Sequence, residues 1–393
     1  MQRFDETINR KQTQSYKWDK LKEVYNLENV EDLLPMWVAD MDFAAPAVMS
    51  RAIEKRLATK VFGYTYADED LKVAISHWFT TRHQWTIDPS TILFKQGVVP
   101  AIATIIETFT APGDKIAMCT PVYPPFFNVP QAQNRLIVTC DLIENDGHYT
   151  IDFDALEQLF KDGAKLFILC NPHNPIGIVW SRQQLEQLVA LCIQYDVYLL
   201  SDEIHADILF KGPYTPIFTI DWIEKAKVIT CIAPTKTFNV AGIQLAMVVA
   251  ENPDIRKQLE LTIQRHAELG PNIFALDAAK ALYTDGAEWL DALLVYLQRN
   301  IDYVREQLNA LDGISVQAPD GTYLMWVDTR ATGFAEKALM QSLLTTGKLA
   351  LEPGSKYGVA GTGFFRMNIA CPFDVVKDGV ERFKLALSSL QQK

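Results

Sequence analysis

The chain of 393 residues has little that would mark it as a metal protein, a secreted protein or a membrane protein. Its six cysteines (Cys119, Cys140, Cys170, Cys192, Cys231, Cys371) form no CxxC pair. Most lie inside apolar runs, the setting of buried reduced thiols in the cytosol rather than of a disulfide framework. The six histidines include no HExxH or similar ligand spacing, so no metal is expected. No run of about 18 apolar residues occurs, and no transmembrane helix is expected. The opening stretch MQRFDETINRKQ is polar and lacks the apolar core of a signal peptide, so a cytoplasmic location is expected. Positive charge is also short: Lys+Arg number 37 against 48 Asp+Glu, a net charge of −11. That argues against an extended nucleic-acid footprint and against an anionic membrane surface. No GxGxxG follows a predicted strand, and the one dense glycine run, Gly358 to Gly363, lies late in the chain, which disfavours a dinucleotide-dependent dehydrogenase. There is no internal repeat and no low-complexity linker.

What remains is an ordinary globular composition, 49% hydrophobic and 22% charged, in a chain long enough for two domains and a large core. From Thr91 onward short apolar runs alternate with amphipathic stretches. Strands are expected at 91–95, 115–119, 135–140, 165–170, 197–200 and 227–233, with a seventh at 243–250. Helices are expected at 101–109, 154–160 and 182–195, the last capped by Ser181. Continuous apolar strands spaced by helices imply a mostly parallel sheet covered on both faces. Such a sheet carries its functional loops at the carboxyl ends of its strands. A long helix over 288–311 presents Trp289, Leu293, Leu297, Ile301, Val304 and Leu308 on one stripe. It is followed by a hairpin around Pro319-Asp320-Gly321, a helix at 335–344, a strand at 364–369 and a last helix at 375–390. The expected fold class is therefore α/β: a mostly parallel central sheet sandwiched by helices, plus a smaller α+β domain. The expected division is 46–285 for the large domain, with 1–45 and 286–393 forming the small one.

Three successive strand ends carry distinctive chemistry: Asn174, Asp202 and Lys236. Singly, each has an ordinary explanation. Asn174 sits in turn chemistry, Asp202 could cap a helix, and Lys236 could reach solvent along its stem. On a parallel sheet, however, all three converge at one edge. Pyridoxal phosphate asks for such a set. Its aldehyde takes a lysine amine, its ring nitrogen a carboxylate, its phenolic oxygen a donor, and its phosphate the N–H groups of a helix start. Gly97-Val98-Val99 supplies that helix start, and Tyr123, in a Pro-flanked loop, could stack on the ring.

The motifs MWVADMDF (36–43), FGYTY (62–66), GVVPAI (97–102), TPVYPPF (120–126), NPHNPIG (171–177), SDEIHADI (201–208), APTKTFNVAG (233–242) and FRMNIA (365–370) span nearly the whole chain. In this order they resemble the fold-type I PLP-dependent enzymes, and within them the MalY/PatB-type cystathionine β-lyases, which are C–S lyases. The resemblance implies that Lys236 bonds the cofactor aldehyde, Asp202 pairs the ring nitrogen and Asn174 holds the phenolic oxygen. Tyr123 stacks on the ring and, with Lys236 and Asp202, counts among the catalytic residues. Val98, Val99, Thr235 and His205 complete the cofactor site, and Tyr64 reaches the phosphate across a homodimer interface. Arg366 grips the substrate α-carboxylate, with Ala39, Asn174 and Tyr123 beside the substrate and Trp37 in the same lining segment.

The implied substrate is a small sulfur-containing amino acid, with cystathionine cleavage serving methionine biosynthesis. Two positions depart from the aminotransferase pattern: Gln244 stands where an arginine is usual, and His205 where a tyrosine is common. Both favour the lyase branch. An aminotransferase of the same fold, or a regulatory protein retaining it, are the alternatives.

Overall fold

The computed structural model describes residues 4–268 and 270–392. Seven strands form the central sheet: β1 (Ile92–Lys95), β2 (Lys115–Thr120), β3 (Leu136–Asp141), β4 (Ala164–Cys170), β5 (Tyr198–Asp202), β6 (Lys227–Ile232) and β7 (Ala246–Val249). Their spatial order is β1-β7-β6-β5-β4-β2-β3. Strands β2 to β6 run parallel to one another. The apolar runs are continuous because both faces are covered. Leu199, Val228 and Phe167 pack on one side with Leu185, Leu188 and Val189 of the helix Arg182–Tyr195. Their neighbours Leu200, Ile229 and Ile168 pack on the other with Ile102, Ile105 and Ile106 of the helix Val98–Phe109. This alternation is the two-residue period of a strand expressed on two cores. The helix Arg182–Tyr195 begins with Ser181 and Gln184 in a reciprocal cap.

The expected seventh strand is shorter than 243–250 and runs antiparallel to both β1 and β6. No long crossover helix separates β6 from β7, only the short helix Pro234–Thr237 and a turn, so the chain returns in the opposite direction. Gln244 belongs to that turn, with φ 59°, rather than to the strand.

The long helix spans Ala287–Asn309, and its stripe from Trp289 to Leu308 is buried. Each of these large apolar side chains contributes about 1.5–3 kcal/mol on burial. A second, antiparallel sheet follows: β8 (Ser315–Val316), β9 (Leu324–Asp328), β10 (Glu352–Pro353) and β11 (Phe364–Asn368), in the order β8-β9-β11-β10. The expected hairpin is the pair β8 and β9, with a longer connection than the Pro-Asp-Gly turn alone. Strand β10 had no counterpart in the sequence reading.

The N-terminal segment is tied to this second unit. Leu34–Pro35 pairs in parallel with Leu349–Ala350, and Asp42 N–H donates to the Ala370 carbonyl. The loop 37–41 then crosses the carboxyl edge of the large sheet, and each of its carbonyls is claimed. Trp37 O accepts from Arg366, Val38 O and Asp40 O from Asn368, Ala39 O from Lys236 and Tyr323, and Met41 O from Arg10 and Asn239. Such complete pairing holds irregular backbone in place where it lies against protein on both sides.

Candidate active site

Strands β4, β5 and β6 are neighbours in register, with Cys170 opposite Asp202 and Asp202 opposite Cys231. Their carboxyl ends therefore finish level, and Asn174, Asp202 and Lys236 meet on the wall of one cavity of about 210 Å³. Ala39, Val98, Val99, Tyr123, His205 and Thr235 line the same space, as does Gln244.

Asp202 is buried, and Ile204 N–H donates to its Oδ1 at 3.2 Å. That is a local turn bond and not a helix cap. No side-chain cation bonds Asp202 among the described residues. Burial pushes its carboxyl up to about 7, against the pull of the Ile204 amide and the Lys236 charge. A buried carboxylate without a cation is costly, and a ligand bearing a positive nitrogen would relieve it. Lys236 keeps some surface because it faces the cavity. Protein nonetheless surrounds the amine, and burial, assisted by Arg366 and opposed by Asp40 and Asp202, pushes it down to about 8. Its Nζ donates to Ala39 O, and so does the Tyr323 hydroxyl, at 3.0 Å. A lysine poised near neutrality is ready to act as a nucleophile or a base.

Asn174 accepts from Arg366 Nη1 at 3.0 Å through Oδ1. No bond among the described residues uses its Nδ2. Arg366 is 3% exposed, so it is no surface strand arginine. It stands just behind the cavity wall, reaching Trp37 O at 2.6 Å and Glu352 Oε2 at 2.7 Å through Nη2. The helix Val98–Phe109 starts at Gly97 without a side-chain cap, which leaves the Val98 and Val99 N–H groups at the cavity. His205 is buried with Nδ1 unpartnered, and burial holds the imidazole well below its usual range, so it is neutral. Tyr123 is held above the usual phenol range, at about 12, chiefly by burial.

Two sequence-derived site residues stand elsewhere. Tyr64 is 98% exposed and lies outside this cavity, in a surface depression with Arg56, Asp68, Asp277 and Lys280. Trp37 is buried beside Tyr25, contributing its carbonyl rather than its ring to Arg366.

Several supporting residues escaped the sequence reading. Asp207 accepts from Thr237 Oγ1 at 2.7 Å, from Trp78 Nε1 at 3.0 Å, and lies 2.7 Å from His83 Nε2, so it anchors the turn that carries Lys236. His173, held down to about 4 by burial and so neutral, donates through Nε2 to Pro121 O at 2.8 Å, joining the Asn174 and Tyr123 loops. Asp207 lies inside the segment SDEIHADI (201–208), where only Asp202 and His205 were given roles. Nothing in the sequence pointed to Glu352.

The whole chain is similar to several characterised sequences and structures. The chain is 41% identical to cystathionine β-lyase PatB of Bacillus subtilis (strain 168) over 388 residues, 98% of this chain and 100% of the relative. It is 32% identical to protein MalY of Escherichia coli (strain K12), covering 96% of each. The crystal structure of cystalysin from Treponema denticola, which contains a pyridoxal 5′-phosphate cofactor, superimposes with a TM-score of 0.94 at 35% identity. That match covers 99% of this chain and 100% of cystalysin. The family model described as aminotransferase class I and II matches residues 32–383. By family and by fold, this chain belongs to the class I and II aminotransferases, with the fold-type I architecture of the PLP-dependent enzymes.

Proposed function

We propose that this chain is a pyridoxal-phosphate-dependent C–S β-lyase that converts a cysteine S-conjugate such as cystathionine, with water, to a thiol, pyruvate and ammonia. The observation that carries the reading is the buried Asp202, with no cation bonded to it among the described residues, and the easily deprotonated Lys236 on the wall of the same cavity. The similarity to cystathionine β-lyase PatB supports it.

The residues present fit the cofactor. Lys236 would hold the aldehyde carbon, Asp202 the ring nitrogen, and the spare Nδ2 of Asn174 the phenolic oxygen. Tyr123 and His205 would lie against the ring. The Val98 and Val99 N–H groups and the Thr235 hydroxyl would hold the phosphate, with Tyr64 reaching it from a second copy. Pyridoxal phosphate, when bound, supplies an aldehyde that captures the substrate amine and a protonated ring that stores the electron pair released at Cα.

The chain's own residues do the rest. Arg366 holds the substrate carboxylate by charge-assisted hydrogen bonding, and Ala39 and Asn174 flank it. Lys236 Nζ, neutral in a useful fraction near pH 8, takes the Cα proton as general base. Asp202 stays ionised against the ring nitrogen and keeps a proton there. The β-sulfur then departs as thiolate, and with cystathionine the thiol product is homocysteine, a methionine precursor. Gln244 in place of an arginine leaves the phosphate to backbone and hydroxyl donors.

Pyruvate release across a panel of sulfur amino acids, with no keto acid added, tests the activity. A protein that acts only when a keto acid is supplied is an aminotransferase instead. In the same assay Arg366→Lys raises KM by about 10–100-fold and changes kcat much less, because an ammonium cannot reproduce the planar donor set that is held by Glu352 and Asn174 while facing the substrate. An unchanged KM would remove Arg366 from substrate binding.

We also take the active species to be a homodimer. Support comes from Val61, Phe62, Tyr64 and Tyr66, all exposed on one short segment of the single chain. Light scattering should give about twice the 44.4 kDa of one chain, and a monomer that retains activity would exclude it. We divide the chain at 46–285 for the large domain, with 1–45 joined to 286–393. The pairing of Leu34–Pro35 with Leu349–Ala350 supports that join. We infer a reducing compartment, the cytoplasm, with support from the placing of all six cysteines in the apolar interior, the usual setting of reduced thiols.

A further inference from the structure

Arg366 is a buried guanidinium, and the placement of its donors shows how it is held. Strands β10 and β11 set Glu352 directly opposite Arg366. Glu352 Oε2 accepts from Arg366 Nη2 at 2.7 Å, and the same oxygen accepts from the Tyr357 hydroxyl at 2.8 Å. The Tyr357 ring lies 5.2 Å from the guanidinium carbon, a cation–π contact. Tyr357 is fully buried, and its carbonyl accepts from Val122 N–H at 2.9 Å, next to Tyr123. One tyrosine thus ties Arg366 to the loop that carries the stacking ring. Glu352 and Tyr357 do not line the cavity. They brace the arginine from behind. Arg366 Nε, by contrast, is buried and has no partner among the described residues.

We propose that Glu352 and Tyr357 are positioning residues: they fix the Arg366 guanidinium so that the enzyme selects substrates bearing an α-carboxylate. This rests on the reading of Arg366 given above. Nη2 is committed to Glu352 and Trp37 O, and Nη1 to Asn174. The guanidinium plane is therefore set before substrate arrives, and the directions of its remaining donors, Nε–H and one Nη1–H, are fixed with it. Preorganisation of this kind lowers the ordering cost of binding. Glu352 also supplies the counter-charge that lets a guanidinium stay buried in the free enzyme. Without that carboxylate the guanidinium loses its fixed plane and turns toward other acceptors.

The test uses the holoenzyme and two probes that differ by one carboxylate, L-alanine and ethylamine, with dissociation constants read from the change in cofactor absorbance. Glu352→Ala weakens L-alanine binding about 10–100-fold and leaves ethylamine within about threefold, so the preference collapses. Glu352→Gln, which keeps an acceptor but loses the charge, falls between. Tyr357→Phe removes only the hydroxyl bond, gives a smaller loss of the same kind, and serves if the alanine variant folds poorly. Turnover of a cysteine conjugate shows the same split, with KM raised and kcat nearly constant. Equal losses for both probes, or an unchanged preference in all three variants, overturn the proposal. Arg366→Ala separates the two levels. If it abolishes the preference while the Glu352 and Tyr357 variants keep it, only this inference fails. If it keeps the preference, the reading of Arg366 fails with it.

Discussion

Lys236→Ala lowers pyruvate release from any cysteine conjugate by at least about a thousandfold, and the protein lacks the visible band expected of the unmutated chain with pyridoxal phosphate. Two jobs rest on one nitrogen: capture of the aldehyde and removal of the Cα proton. General-base catalysis alone is worth about 10²–10⁴ in rate, and the lost anchor adds to that. The variant should fold. Among the described residues the Lys236 amine hydrogen-bonds only Ala39 O, and that carbonyl keeps the Tyr323 hydroxyl when the amine is gone. The short turn around residue 236 is held by Thr237 to Asp207 and by Asn239 to Met41 and Phe43, none of which the substitution touches. A circular dichroism spectrum and melting curve close to those of the parent are therefore expected. Retention of more than about a tenth of the activity would sink the assignment of the base.

Asp202→Asn gives the second large effect, and it has opposite signs in the two forms of the protein. With cofactor, activity falls about 10²–10³-fold, the scale seen when one preorganised electrostatic partner is removed. An amide cannot hold a proton on the ring nitrogen as a carboxylate does.

Without cofactor the same change is favourable. Folding raises the Asp202 carboxyl from its ordinary 3.8 to about 7. Between those values the folded chain holds a proton that the unfolded chain has released, so stability falls as pH rises through that window. Asparagine does not titrate. The cofactor-free variant therefore gains on the parent from about pH 4 to about pH 7, and the gap levels off above that. Glu203, also pushed up to about 7, mainly by burial but in part by the Asp202 charge, titrates lower in the variant, which adds to the variant's gain. Adding pyridoxal phosphate reverses the order, because the carboxylate then has its cation. Melting temperatures of both proteins, with and without cofactor, at about pH 5 and about pH 8 check this. A variant that is less stable than the parent in all four conditions would show that Asp202 is held by contacts other than those described.

The two results together separate the site's chemistry from its architecture. Lys236 and Asp202 sit on neighbouring strand ends, yet truncation of the first is expected to carry little structural cost, whereas the second is expected to be a structural burden until a ligand arrives. Burial beyond what stability favours is expected at a site built for a bound group.

Much of this was legible in the chain itself. Apolar runs too continuous for a one-sided sheet announced strands buried on both faces. The residues just after them, Asn174, Asp202 and Lys236, had to share an edge because parallel strands point their ends the same way. The stripe from Trp289 to Leu308 specified its helix because a period of 3.6 residues needs no distant partner. The long motifs from 36 to 370 pointed to the family, and the comparisons agree.

Only the tertiary structure decided what stands behind those residues. The antiparallel turn of β7 depends on a connection too short for a long crossover helix, not on the strand's own composition. Glu352 meets Arg366 because β10 and β11 pair in that register, and a two-residue strand leaves no periodic signal to read. Tyr64 carries no signal of its own either: in the single chain it is fully at the surface, and a second copy would have to bring it to the cavity. Sequence determined the groups that short-range pattern can place, the strand ends and the helix start. Side chains that act through partners far along the chain are fixed by packing and register, whose free energies belong to the whole fold and not to any local stretch of it.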